Sequence, residues 1–415
     1  MMNGKQFRIA SGCRTGVIGV IGLLLMAPCL LAIEGDAGNP FADDQDTLSR
    51  DGLAETERRL RVMLADTPKD DEGRFHLGLV QFLRAIENLG RGLHHYGLNP
   101  TERSEFFVRL PVPENSDPAE IDYEGFLRLL EGFGSDLLQA EVTLSKIKDP
   151  DVKLGMRLAE IGFQFDSSID ERVGIQDVLR IVSGRDMPFP ESNPEMLINF
   201  DRGDVAWLRS YCHVLAGIVD IYGAYDSSNW FNTFGKRFFP RVRQTEFSGD
   251  ANLMTEVLLR DPVKLHSLKM HLIAVCELNA ETWRHIRAET DDDHEWLPNA
   301  KQTDQLGLPI TDEQIDSWLA AMAHLKGLFR GERLIPSGLL GYAVPGSKEG
   351  LGFSVAKFMD DPPINLNWER ISTQGIDPKY LEKETGREAL DVLVMLRVAG
   401  AFNGPFGLLG VIRMN

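Results

Sequence analysis

Residues 204–225 read Asp-Val-Ala-Trp-Leu-Arg-Ser-Tyr-Cys-His-Val-Leu-Ala-Gly-Ile-Val-Asp-Ile-Tyr-Gly-Ala-Tyr. Most side chains in this stretch are apolar. A helix that is apolar on nearly all of its faces has to be covered by other elements of the fold. The stretch therefore predicts a buried helix. We expect the rest of the chain to supply the elements that cover it.

Amphipathic helices are predicted on both sides of this stretch, because apolar residues recur there at helical spacing. The predicted ranges are 53–97, as two helices with a break at Pro68, and 123–148, 262–288 and 312–330. Asp261 and Thr311 stand immediately before the last two ranges, where capping residues satisfy the free N–H groups of a helix. The chain is therefore expected to be mainly α.

The composition changes after Gly331. Residues 332–370 are rich in glycine and proline, and their short apolar runs predict one or two β-hairpins, followed by a last helix over 386–401. The predicted organisation is a multi-helix core with a small α+β C-terminal part. By range, it comprises a helical hairpin region over 33–110, a helical core over 119–330 and the α+β region over 331–415.

The first 32 residues have the pattern of a secretory signal peptide. Three basic residues, Lys5, Arg8 and Arg14, precede an apolar run over 16–32. As a helix the run would be roughly 25 Å long, shorter than a hydrocarbon core of about 30 Å. We expect export to the periplasm or the extracellular space, with cleavage after Ala32. An uncleaved membrane anchor is the alternative, and it would be the chain's contact with a membrane.

The net charge limits the class of partner that the chain can bind, and the cysteine content limits the disulfides that it can form. Sixty-two acidic residues against 44 basic ones give a net charge of −18, which disfavours nucleic acid as a partner and leaves another protein as the expected one. After residue 32 the cysteines are Cys212 and Cys276, each among apolar neighbours on a different predicted helix. We expect two free thiols; one disulfide is the alternative.

Residues 166–177 read Asp-Ser-Ser-Ile-Asp-Glu-Arg-Val-Gly-Ile-Gln-Asp and resemble an EF-hand calcium loop. The resemblance implies helices on both sides, over 152–165 and after Ile175. It also implies a set of metal ligands at alternating positions, with the main-chain carbonyl of the seventh residue among them. In this sequence that set is Asp166, Ser168, Asp170, Arg172 and Asp177.

Two positions of this loop depart from the EF-hand pattern. Glu171 stands where the sharp turn favours glycine, and Asp177 replaces the usual bidentate glutamate. Strain at Glu171 and the shorter side chain of Asp177 both reduce the affinity of the loop for calcium. The cofactor that the resemblance implies is therefore weakly bound calcium, and the alternative is a polar helix–loop–helix that binds no metal.

Residues 74–79, Arg-Phe-His-Leu-Gly-Leu, resemble the first helix of a tetratricopeptide repeat. No second copy follows at the 34-residue period of such repeats. The resemblance therefore implies one helical hairpin over 53–97 rather than a repeat array.

Four other polar groups have both a functional and a simpler structural explanation. His213 and Asp220 share one face of the apolar stretch and could form half of a metal or acid–base site, or a hydrogen-bonded core pair. Glu281 and His285 could share a metal, but such i,i+4 pairs are common on solvated faces. The acidic run 291–295 could bind a cation loosely, but it is expected to be a solvated loop. The basic run 236–243 is expected to dock against an acidic neighbour.

Known catalytic signatures are missing from the sequence. Gly352-Phe353-Ser354-Val355-Ala356 is close to the nucleophile elbow of a hydrolase, but no histidine follows it to complete the triad in that fold's order. We therefore expect an exported, non-enzymatic helical protein with a binding or structural role in the cell envelope. The alternative is a metal-dependent envelope enzyme using His213 and Asp220.

Overall fold

A computed structural model describes residues 52–99, 110–183, 193–244, 256–303, 310–336, 350–386 and 388–391, together with positions 338 and 394. The described part is mainly helical, as predicted. Its helices are α1 (Leu53–Asp66), α2 (Asp71–His95), α3 (Tyr123–Leu144), α4 (Ile175–Ser183), α5 (Arg202–Ala224), α6 (Ser228–Phe238), α7 (Pro262–Ile286), α8 (Asp312–Arg330), α9 (Val355–Asp360) and α10 (Trp368–Gln374).

Capping residues lie at the ends of the long helices. Asp70 accepts a hydrogen bond from the N–H of Gly73 and caps α2, and Asp261 does the same for α7 through the N–H of Val263. Thr311 opens α8 with a capping box, and Gly331 ends it in the left-handed conformation, at φ 73°. The five long helices predicted from the flanking periodicity are therefore confirmed.

The apolar stretch forms α5, and this helix lies at the centre of the helical part. It packs against α3 on one side and α7 on the other, while α2 covers α3, α1 covers α2 and α8 covers α7. Small residues allow the close approaches: a Cβ on Gly217 would lie 3.1 Å from Leu268 Cδ1 on α7. At the far side of α3, a Cβ on Gly78 would lie 2.4 Å from Leu144 Cδ2.

The segment before the calcium-like loop is not helical, so the predicted helix over 152–165 is wrong. It contains strand β1 (Leu154–Arg157), a 3-10 turn and strand β2 (Gly162–Phe163). Leu154 and Met156 are buried and alternate with less buried neighbours, which is the period of a strand and not of a helix. Antiparallel pairing joins β1 to β4 (Leu197–Phe200) and β2 to β3 (Val173–Gly174).

The C-terminal part contains short strands, and within the range predicted to form one or two hairpins, 332–370, the described residues include one antiparallel bridge, between Ile335 and Phe353. Each strand pairs with a distant one: β7 (Leu351–Phe353) with β9 (Leu381–Lys383), β8 (Asn365–Asn367) with β5 (Glu256–Leu258), and β6 (Arg333–Leu334) with β10 (Glu388–Ala389). The partners follow from tertiary packing that the local turn signals do not encode. Most of the predicted helix over 386–401 lies outside the described residues, and β10 occupies its start.

The remaining sequence predictions concern the signal peptide or membrane anchor and the two free cysteines. The predicted signal peptide, residues 1–32, lies outside the described residues. In the part of the chain that is described, none of the helices has the length and hydropathy that crossing a bilayer requires. Cys212 and Cys276 are both buried as free thiols on α5 and α7, as expected.

Candidate metal centre

Three carboxylates meet at the N-terminal end of α5. One side-chain oxygen each from Asp201, Glu289 and Glu295 can be chosen such that all three lie within 4.8 Å of one another. Among the described residues this is the one group of three or more histidine, cysteine, aspartate or glutamate side chains with such geometry. We call these three residues the carboxylate cluster.

Asp201 reaches the cluster because it joins a strand to the central helix. Strand β4 ends at Phe200, and Asp201 then caps α5 by accepting hydrogen bonds from the N–H groups of Gly203 at 2.6 Å and Asp204 at 3.2 Å. Asp204 completes the capping box, since its Oδ2 accepts from the N–H of Asp201 at 3.0 Å. The apolar helix therefore begins with two carboxylates fixed side by side.

Glu295 is brought in by a loop that is pinned to strand β4. Asn199 donates from its main-chain N–H to the carbonyl of His294 at 3.2 Å and from Nδ2 to the carbonyl of Asp293 at 3.1 Å. His294 adopts φ 60°, a conformation uncommon for residues other than glycine, and it is only 2% exposed. Asp291 and Asp292 are exposed, as predicted from the charge of the run 291–295, but Glu295 is only 4% exposed, so the end of the run is not solvated.

Glu289 follows the end of α7, and two amides hold the loop around it. Asn299 Nδ2 donates to the carbonyl of Ile286 at 2.9 Å, and Gln302 Nε2 donates to the carbonyl of Asp291 at 2.9 Å. Gln302 Nε2 also reaches Glu289 Oε2 at 3.3 Å. The loop between Glu289 and Gln302 is therefore closed on itself, with the carboxylate cluster on its inner side.

The cluster has limited contact with water, because Glu295 is buried and Asp201 and Glu289 are half-buried. Trp296 directly follows Glu295, and its ring centroid lies 5.5 Å from that of Trp207 and 5.6 Å from that of Phe200. Charges with little access to water are poorly solvated, so each carboxylate of the cluster strongly affects the others.

Basic side chains do not pair directly with the cluster in the described part of the chain, although the charge of Lys153 makes a minor contribution that lowers the pKa of Glu295. Within the described residues, no lysine or arginine forms an ion pair with the carboxylate cluster or with Asp204, and the nearby Lys153 pairs with Asp291 instead. Asp204 is only 2% exposed, and its Oδ1 has no hydrogen-bond partner in the described part of the chain. The same holds for Glu289 Oε1.

The pKa values of these acids reflect burial and the effect of the acids on one another. Burial, followed by hydrogen bonding to Asp201 and the charge of Asp201, raises the pKa of Glu289 well above its ordinary value. Burial raises the pKa of Glu295 to about 7. Burial and the charges of Asp201, Glu289 and Glu295 raise the pKa of Asp204. Without another cation, the cluster therefore holds protons at neutral pH.

The calcium ligands predicted from sequence do not converge in the same way. Asp166 Oδ1 accepts hydrogen bonds from Ser168, at 2.8 Å from its N–H and 2.6 Å from its hydroxyl, and Asp177 Oδ1 pairs with Arg180 at 2.7 Å. The acids of the 166–177 loop, all of them described, form no group of three like the carboxylate cluster. The exit helix, α4, does begin at Ile175 as predicted. Calcium at Asp166, Ser168, Asp170, Arg172 and Asp177 stays a prediction.

His213 and Asp220 lie on a face of α5 that meets α7. His213 Nδ1 lies 2.9 Å from His271 Nδ1, and His271 Nε2 lies 3.5 Å from Asp220 Oδ2. Lys264 Nζ is 3.2 Å from Asp220 Oδ1. The histidine is thus half of a buried pair, with its partner on the neighbouring helix.

The two remaining charged groups have structural partners. Glu281 Oε1 pairs with Arg202 at 2.8 Å, and His285 lies against Arg284, so the metal pair Glu281–His285 is not formed. In the basic run 236–243, Arg241 pairs with Asp117 at 3.0 Å and Arg243 pairs with Asp122. That run therefore docks against the acidic segment 117–122, as predicted.

Sequence reasoning missed Asp201, Asp204 and Glu289. The signal within reach was the pair Asp201 and Asp204 immediately before an apolar helix, which is a capping pattern. Nothing in the sequence indicated that the end of α7 would return to that point. The chain matches no protein-family model, no curated protein and no solved structure. The chemistry of the cluster therefore rests on its own geometry.

Proposed function

We propose that this protein binds a divalent cation, with calcium as the preferred ion, through Asp201, Glu289 and Glu295. The bound ion would tie the loop over 289–302 to the N-terminus of the central helix. The observation that carries the proposal is the carboxylate cluster, with the unpartnered oxygens of Asp204 and Glu289 beside it. The role is binding or structural rather than catalytic, in a chain that we propose is exported to the cell envelope.

The ligand chemistry favours calcium over softer metals. Calcium takes six to eight oxygen ligands at about 2.3–2.6 Å in flexible geometry, whereas zinc prefers nitrogen and sulfur. Carboxylates from a helix cap and a loop can supply oxygen ligands in the flexible geometry that calcium accepts, whereas magnesium demands near-ideal octahedral geometry. Calcium at millimolar concentration outside the cell would suit such a site even at modest affinity.

Electrostatics supports a cation in place of protons. Half-buried Glu289 and buried Glu295 are charged only at a cost, which is reflected in the raised pKa values of these two groups. A doubly charged ion removes this cost more completely than a proton, because it interacts with all three carboxylates at once. Cation binding should therefore release protons, so the affinity for calcium should rise with pH.

A calorimetric calcium titration of purified protein tests the proposal. Wild type should bind one calcium ion at this site, and Glu289→Gln should weaken binding at least tenfold while the circular dichroism spectrum stays unchanged. Glu313→Gln, an exposed acid at the start of α8, is the matched control and should bind as wild type does. Equal calcium binding by wild type and Glu289→Gln would overturn the proposal.

A further inference from the structure

We propose that His213 and His271 form a second metal site, which binds a transition-metal ion such as zinc or copper between their Nδ1 atoms. The site lies between α5 and α7 and is separate from the carboxylate cluster. It uses nitrogen ligands, so it selects a different class of ion. The proposal does not depend on the proposed calcium function.

The two imidazoles face each other with a carboxylate behind each one. Their Nδ1 atoms are 2.9 Å apart, and their ring centroids are 5.1 Å apart. On the outer side of His213, Nε2 lies 3.8 Å from Glu141 Oε1. On the outer side of His271, Nε2 lies 3.5 Å from Asp220 Oδ2. The order across the site is carboxylate, histidine, histidine, carboxylate.

Histidines that ligate a metal through one nitrogen commonly donate the other N–H to a carboxylate. When both outer Nε2 atoms carry the proton, both inner Nδ1 lone pairs point at each other across 2.9 Å. A metal ion placed between them removes that repulsion. Without metal, one histidine has to carry its proton on Nδ1, and Ser267 Oγ, 3.4 Å from His271 Nε2, can then donate to that nitrogen.

The surroundings keep the ligands available at neutral pH. Burial, together with the neighbouring His271 and Arg209, lowers the pKa of His213 to about 4, so its imidazole is neutral and able to bind a metal. Glu141 pairs with Arg209 at 3.0 Å and Asp220 with Lys264 at 3.2 Å, which leaves the second layer close to neutral overall. The His213 side chain is 17% exposed, which gives an ion a route from solvent.

The helices fix the spacing of the pair close to what a metal requires. Gly217, one turn beyond His213, has no side chain, and this lets α5 approach Leu268 and His271 on α7. Two nitrogens on one zinc ion with bonds of 2.0–2.1 Å are about 3.4 Å apart. The rings therefore need to separate by only about 0.5 Å, which a small change in side-chain torsion allows. Water would complete the coordination.

Zinc affinity is measured by competition with a chromophoric chelator, with calcium at a fixed millimolar concentration in every sample. Wild type should bind one zinc ion, and His213→Gln and His271→Gln should each bind it at least tenfold more weakly. His266→Gln, an exposed histidine on the same helix as His271, should behave as wild type. Glu289→Gln should lose calcium and keep zinc, which separates this proposal from the proposed function.

The outer carboxylates and the ligand atoms are tested separately. Glu141→Gln should weaken zinc binding by about 10–100-fold, the effect expected when an orienting carboxylate is lost. Paramagnetic resonance of the copper-loaded wild type should show hyperfine coupling to two imidazole nitrogens. That measurement needs no variant, so it holds even if a histidine substitution disturbs folding. A spectrum with oxygen ligands alone, or undiminished zinc binding by His213→Gln, would overturn the proposal.

Discussion

A carboxylate oxygen of Asp201 lies within 4.8 Å of one from Glu289, although the first residue caps the start of α5 and the second follows the end of α7. The two helices pack against each other along much of their length. Their contact brings the beginning of one beside the end of the other. The same packing that buries the apolar face of α5 thus gathers negative charge at its N-terminus, where the helix dipole favours it.

Stability without calcium should fall as the pH rises from 6.5 to 8. Burial raises the pKa of Glu295 to about 7 and raises that of Glu289 as well. Such groups bind more protons in the folded chain than in the unfolded chain, so stability is lost as the pH passes through the folded-state pKa. The pH range from 6.5 to 8 lies largely between the ordinary pKa values of histidine and cysteine side chains.

Urea denaturation at several pH values measures this effect. The unfolding midpoint of the calcium-free protein should decrease across this pH range, and saturating calcium should remove most of the decrease. In Glu289→Gln the calcium-free midpoint should depend less on pH. A wild-type midpoint that is level or rises without calcium would count against a buried, uncompensated cluster.

The two candidate calcium sites can be separated by substitution. If the 166–177 loop binds calcium, Asp166→Ala should remove a weak binding event and Glu171→Gly should strengthen it by relieving the turn. If the carboxylate cluster alone binds, neither change should affect the calorimetric titration. Calcium at about ten times its dissociation constant should stabilise the fold by about 1.4 kcal/mol in whichever variant retains the site.

Two glycines in neighbouring helices should respond to alanine in opposite directions. In α2, a Cβ on Gly90 would lie 2.2 Å from Phe165 Cδ1, so Gly90→Ala should destabilise the protein by about 1–3 kcal/mol. In α3, a Cβ on Gly132 would meet nothing within 4 Å, so Gly132→Ala should stabilise it by about 0.5–1 kcal/mol. Chemical denaturation of both variants gives the two free energies. A Gly90→Ala variant as stable as wild type, or more stable, would show that the packing around Gly90 is wrong.

The thiols should be protected in the folded protein and free in the unfolded one. Burial raises the pKa of Cys276 to about 12 and that of Cys212 further, which suppresses the reactive thiolate. Alkylation should be slow in native buffer. In urea without reductant, the mass of the chain should increase by one alkyl group for each of these two cysteines. A requirement for reductant would demonstrate a disulfide.

Sequence periodicity predicted the long helices because their apolar faces and caps are local features. Asp261 and Thr311, for example, cap helices within three residues of their own positions. The segment 154–157 was misassigned because a resemblance to a helix–loop–helix outweighed the alternation of Leu154 and Met156. The short C-terminal strands pair over long sequence distances, which no local pattern encodes.

In the candidate sites too, local features could be predicted from the sequence, whereas contacts between distant elements could not. His213 and Asp220 were correctly placed on one helix face, but their partner His271 came from another helix and could not be paired with them in advance. The run 291–295 was expected to be solvated, since charge predicts exposure on average. Its first two acids are exposed, but hydrogen bonds from Asn199 and Gln302 to its main chain hold the run so that Glu295 is buried, and those contacts exist only in the folded chain.

The most direct test of the central claim is the anomalous difference map of a crystal grown with calcium. The account predicts a peak among Asp201, Glu289 and Glu295, with ion–oxygen distances of about 2.3–2.6 Å. Its height should fall when the crystal is soaked in a chelator. A map with no peak there, or with calcium at the 166–177 loop only, would contradict the proposal that the carboxylate cluster is the cation site of this protein.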